Sequence, residues 1–255
     1  MKPSMTFRKR GFTLLETVIA IGVLSVLLTG FIVVFTPAAQ GIKKSINVQQ
    51  ADRLASTLEQ ELVTLRTTAD TTSFGTGFGK AFDWIKNSNV ATSALLAYQY
   101  RGDPSKLRVD DNTAEPVASL QSKLPGKDYV VVSMLRRVNV SNVTESKWLS
   151  DDLKAVEGPV YVVKCTQLKF SGGNLILGAA GSIIDPKIGA TVASATAYPE
   201  AVIAYAADFY QLPSSSASFV FINPSVPVTL TNLFTNTFSS FVKNPVFTRN
   251  FAVGR

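Results

Sequence analysis

The sequence predicts an α+β chain: a long N-terminal helix, apolar all round in its first half and amphipathic in its second, laid on a mainly antiparallel β-sheet head. Three observations predict it. Thr17 to Phe35 carries no charged residue. Leu54, Leu58, Leu62 and Leu65 recur at the three- and four-residue spacing of one helix face. From about Ser93 onward, β-branched and aromatic runs alternate with turn residues.

The apolar run comes first. About nineteen residues at 1.5 Å each span roughly 28 Å, close to the hydrocarbon thickness of a bilayer. Lys2, Arg8, Lys9 and Arg10 precede it, and Lys43 and Lys44 follow. The positive-inside rule then places the N-terminus in the cytoplasm and the bulk of the chain across the membrane. A cleavable secretory signal has a shorter apolar core with a small-x-small site after it. Here the small residue, Gly11, lies before the run, so cleavage there would leave the helix on the mature protein. Glu16 lies just inside the run, where an ionised carboxylate requires a partner. The bland alternative is an ordinary single-pass anchor with Glu16 at the interface.

The stretch Arg8-Lys9-Arg10-Gly11-Phe12-Thr13-Leu14-Leu15-Glu16 resembles the class III signal of type IV prepilins and pseudopilins. The resemblance covers about the first fifth of the chain. It implies cleavage between Gly11 and Phe12 by a prepilin peptidase, N-methylation of Phe12, and a role for Glu16 in setting assembly register. It implies the ladle fold of that family, and as partners other pilin or pseudopilin subunits, an inner-membrane assembly platform and membrane lipid. The expected organisation is a leader over 1–11, a membrane and filament-core helix over 12–36, its amphipathic continuation over 37–67, and a β-rich head over 68–255.

Pro37 is expected to kink or end the helix. Beyond it, the leucine stripe offers one face to the sheet, for helix–head packing through Leu54, Leu58, Leu62 and Leu65. The opposite face carries Lys43, Gln49, Asp52, Arg53 and Arg66. One helix from Phe12 to about Arg66 would be roughly 80 Å long. Gly22 and Gly30 could loosen it. Thr67 to Lys80 reads as a flexible connection. Gly75, Gly77 and Gly79 lack the preceding strand and the spacing of a phosphate loop. Short helical turns are expected around Phe82 to Lys86.

Strands are expected at Leu95–Tyr100, Tyr129–Val140, Val160–Phe170, Leu175–Leu177, Ala201–Tyr210, Phe219–Ile222 and Val246–Val253. Ala201–Tyr210 is alanine-rich enough to be helical instead. Ser171-Gly172-Gly173-Asn174 has the composition of a hairpin turn. Pro186–Pro199 and Leu212–Ser218 read as loops. Phe234, Phe238, Phe241, Phe247 and Phe251 suit a core or a subunit interface better than a ligand platform.

Composition narrows the function. The net charge is +7, but the leader holds four of the 25 basic residues, leaving 21 against 18 acids. That is no nucleic-acid footprint. With no histidine, a Ser-His-Asp triad and imidazole general bases are excluded. Cys165 is the single cysteine, so no intrachain disulfide forms; its Val-Val-Lys-Cys-Thr setting suggests a buried thiol. Many major pilins close a C-terminal loop with a disulfide, and this chain departs from that pattern. The acidic groups Asp110, Asp111, Asn112, Glu115 and Asp151, Asp152, Glu157 lack EF-hand spacing and read as solvated loops. Arg101-Gly102-Asp103 before Pro104 reads as a turn. No metal, no cofactor and no catalysis is expected. The expected function is a structural filament subunit, a minor pilin or pseudopilin. A membrane-anchored binding or adhesin domain is the alternative, and a membrane-tethered enzyme is the weakest reading.

Overall fold

The computed structural model describes residues 14–139, 142–212 and 244–255. The chain forms two compact units, residues 1–46 and 47–255. Helix α1, Leu14–Val63, contributes to both. Pro37 neither ends nor divides it, although the missing proline N–H leaves one carbonyl a turn earlier without its helical donor.

Among the described residues, the second unit is built on a seven-stranded sheet. Its strands are β1 Leu95–Leu107, β2 Ala114–Pro116, β3 Val130–Arg137, β4 Tyr161–Ser171, β5 Asn174–Leu177, β6 Val202–Gln211 and β7 Phe247–Gly254. Every pairing is antiparallel: β1 with β2, β3 and β4, β4 with β5 and β6, and β6 with β7. The period of two sorts side chains between the faces. Leu95, Ala97, Tyr161, Val163, Cys165, Tyr205 and Phe209 face α1 and are buried with its Ala51, Leu54, Ala55, Leu58 and Leu62. Leu96, Tyr98, Tyr100, Met134 and Val162 form a second cluster with Leu149 and Leu153. Burial raises the Cys165 thiol well above its ordinary range.

The helical segments depart from expectation in three places. First, α1 ends at Val63, so Leu65 lies just outside it and is half-buried. Lys80 takes over the freed carbonyl groups: its buried Nζ donates to the Thr64 carbonyl at 2.6 Å and to Asp70 at 3.2 Å. Second, Thr67–Lys80 is no loop. It holds α2, Thr68–Phe74, and the start of α3, Gly77–Asn87, each opened by a threonine side chain accepting a backbone N–H. Gly75 turns between them at φ 69°, and a Cβ on Gly77 would meet the Val63 carbonyl oxygen at 2.3 Å. Third, an unexpected helix, α4, spans Val143–Lys154, capped by Asn142.

That helix explains why the acidic groups are not all solvated. Asp111 and Asp152 are buried. Asp152 accepts from Tyr98 at 2.8 Å and from Arg108 and Arg136 at 2.7 Å, and Arg136 also donates to Asp111 at 2.8 Å. Arg101-Gly102-Asp103 lies within β1, not in a turn, and a Cβ on Gly102 would meet Ala114 Cβ at 2.7 Å. Ala201–Tyr210 proves to be strand, and β1 runs on past Tyr100 to Leu107. Phe247 and Phe251 pack on Phe209 and Tyr205, with ring centroids 5.8 Å and 5.5 Å apart. Phe219–Ile222, Phe234, Phe238 and Phe241 lie outside the described residues.

Two predictions follow from this packing. Leu58→Ala should destabilise the chain by about 2–5 kcal/mol, read as a lower melting temperature in detergent. Burial works against the charged form of Asp111, but Arg136 and Thr113 prevail and hold its carboxyl below the ordinary range. A lowered folded value means that its contribution is complete above the ordinary Asp value of about 3.9 and fades as pH falls through the folded one. Acid melts should therefore fall more steeply for the natural chain than for Asp111→Asn.

Candidate functional site

The candidate site is the first half of α1. Its many β-branched residues and two glycines give it low intrinsic helix propensity; in hydrocarbon a helix is nonetheless required, because it satisfies every backbone group within the segment. What singles it out is exposure. Every large apolar residue from Leu14 to Phe35 is at least 54% exposed. Its most apolar eighteen residues have a mean hydropathy of 2.8 and bury nothing within the chain. Soluble helices do not present such a surface on all sides.

The polar groups of this stretch are managed locally. The hydroxyls of Thr17, Ser25, Thr29 and Thr36 each donate to a carbonyl three or four residues earlier, at 2.8 Å. Each therefore enters hydrocarbon with its donor already satisfied. Phe31 and Phe35 stack one turn apart at 5.2 Å. Glu16 is the one ionisable residue between Leu14 and Ile42. It lies in the first described turn of α1 and is exposed. The helix can thus offer a low-dielectric surface carrying one acid at a defined height, an arrangement suited to recognising a cation on another apolar helix. Gly11 and Phe12 lie outside the described residues.

In the second unit, Leu54, Leu58 and Leu62 are fully buried against the sheet. Ala51 and Ala55, apolar residues at the same three- and four-residue spacing, complete that face. Of the two acidic groups, Asp111 and Asp152 are buried in ion pairs, whereas Asp110, Asn112, Glu115 and Glu157 are exposed. Asp152 is neutralised by two guanidinium groups. The phenols beside it are raised by burial, Tyr98 far above its ordinary value and Tyr100 to about 12. Both stay protonated as donors. Among the described residues, no group of three or more Asp, Glu or Cys is placed to hold a metal.

Residues 6–32 match the family described as the prokaryotic N-terminal methylation motif. No curated protein and no solved structure matches the chain. The matched segment contains Gly11, Phe12 and Glu16 and reaches into the exposed part of α1. The chain carries a class III prepilin signal, of the kind that type IV pilins and pseudopilins bear, on a helix that leaves its apolar surface open for membrane anchoring.

Proposed function

We propose that the chain is a structural subunit, a minor pilin or pseudopilin, of a type IV pilus or type II secretion-like filament. The reading rests on one conjunction: the methylation motif over residues 6–32 continues into an apolar helix that the other described residues do not cover. The subunit waits in the inner membrane with its N-terminus cytoplasmic. A prepilin peptidase removes residues 1–11 and Phe12 is N-methylated. An assembly platform then moves the helix from lipid into contact with other subunits' helices. Residues 12–36 fill the filament core, 37–67 join it to the head, and 68–255 form the exposed head. After cleavage the Phe12 amine stays largely cationic. In the stagger of packed helices it meets Glu16 of a neighbour. A paired charge is tolerable in that setting and an unpaired one is not, so the pair selects the axial offset.

Mass spectrometry of the membrane-extracted protein should find a chain starting at Phe12, with the added mass of one methyl group. A retained leader in cells containing the peptidase, or a terminus beyond the apolar run, would contradict the reading. Glu16→Ala should leave insertion and cleavage intact, because it does not lower hydrophobicity, while the share of the protein in sheared filaments falls sharply. Equal entry of both forms would leave Glu16 a passive residue and favour a non-polymerising anchored domain.

A further inference from the structure

We propose that the cleft between α2, α3, the end of β3 and the start of α4 binds one sugar ring, a neutral ligand recognised through its hydroxyls. The inference goes beyond the filament reading and does not rest on it. The cleft encloses about 290 Å³, close to the lower end of the range for small-ligand sites. Asp70 and Ser73 line it from α2, Asp83 and Trp84 from α3, Arg137 from β3 and Glu145 from α4. A recess of about 50 Å³, lined in part by Lys80, shares Asp70, Trp84, Arg137 and Glu145 with it. The recess has room for a few waters.

The polar walls are held in place and still have capacity. Asp70 accepts at one oxygen from the Arg66 N–H at 3.1 Å and from Lys80 at 3.2 Å. Asp83 accepts from Arg137 at 2.5 Å and from Asn87 at 2.8 Å. Glu145 accepts from Asn139 and Asn142, each at 2.9 Å. A carboxylate offers about four lone-pair sites and a guanidinium five N–H donors. Against the described residues, then, the three acids keep open acceptor positions and Arg137 keeps open donors. Walls already fixed by the fold lose little freedom when a ligand arrives.

The mixture of signs selects the ligand class. Three carboxylates face Arg137, with Lys80 in the adjoining recess. An anion would meet the three acids, and a cation would meet two cations already in place. An apolar ligand would strip water from all five charges without replacing its hydrogen bonds. A hydroxyl both donates and accepts, so neighbouring ring hydroxyls pair with a carboxylate and a guanidinium together and bring no charge of their own. Half-buried Phe74 lines the same cleft. With the small exposed part of Trp84, whose ring lies 4.4 Å from Lys80 Nζ, it supplies an apolar wall for the C–H groups of the ring. The volume admits one ring rather than a chain of them.

The test uses the full chain in lauryl dimethylamine oxide, a detergent without a sugar head group. Methyl glycosides of glucose, galactose, mannose and N-acetylglucosamine are titrated in turn and followed by saturation-transfer NMR. At least one should receive transfer at its ring C–H protons and bind saturably. Ser73→Trp, which fills the cleft from an exposed position, should weaken that binding at least tenfold. Arg137→Gln should do the same, through the loss of a charge-assisted hydrogen bond. If Arg137→Gln lowers the melting temperature by more than a few degrees, Ser73→Trp decides. Binding of none of the four glycosides overturns the proposal, including where the chain's own residues already fill the cleft. Undiminished binding by Ser73→Trp overturns it as well, because the sugar then sits elsewhere. So does displacement of the glycoside by tetramethylammonium or sulfate at equal concentration, which would make the cleft a site for an ion.

Discussion

An apolar helix surface that the other described residues leave uncovered sets the terms for the rest of the molecule. From Leu14 to Phe35 the large side chains face outward all around α1. Burying one such side chain contributes about 1.5–3 kcal/mol, so the segment as a whole strongly favours lipid or other helices over water. Its three hydroxyls, and that of Thr36 just beyond it, are already bonded to their own backbone. Moving this segment from lipid to a bundle of like helices therefore changes packing partners while leaving its hydroxyl bonds intact. Glu16 is the one ionisable residue of this stretch, and in the proposed filament it is the group that would favour one alignment over another.

The second unit meets the opposite problem, since it must hold a helix segment firmly enough to carry whatever the helix does. The face of α1 formed by Leu54, Leu58 and Leu62 supplies non-directional burial. Directional restraint comes from side chains around its end. Lys80, itself buried and stacked 4.4 Å above Trp84, bonds the Thr64 carbonyl. Glu61 pairs with Arg66, whose N–H meets Asp70. On the other face of the sheet, Asp152 and Arg136 tie α4 to β1 and β3. A buried ion pair adds little net stability beyond a good apolar core, but losing one partner is costly. Such pairs fix which elements meet, and here they join elements distant in the chain.

What was legible in the sequence had a clear period or a local rule. The leucine stripe, the uncharged run and the Ser-Gly-Gly-Asn turn each follow from spacing or φ preference at a few residues. What was hidden depended on tertiary context. In α4, Leu149 and Leu153 are flanked by Asp151, Asp152 and Lys154, so the helix reads as polar, and its buried acid is intelligible only beside Arg108 and Arg136. The cap Asn142-x-x-Glu145 was the available signal. Thr-rich α2 and Gly-rich α3 have low helix propensity; Phe78, Phe82 and Ile85 carry the period that would have revealed α3. Of the candidate site, the methylation motif over residues 6–32 was legible because such a signal is local in sequence.

In the proposed filament the first half of α1 is covered by lipid before assembly and by other helices after it. A nitroxide attached at Val26→Cys, with Cys165 buried and unlabelled, reports this directly by paramagnetic resonance. In the membrane pool, relaxation should respond to oxygen and not to a water-soluble nickel chelate. In sheared filaments the response to oxygen should also fall, as packed helices replace lipid. A label relaxed by the nickel chelate in the membrane pool would place this helix in water and contradict the account.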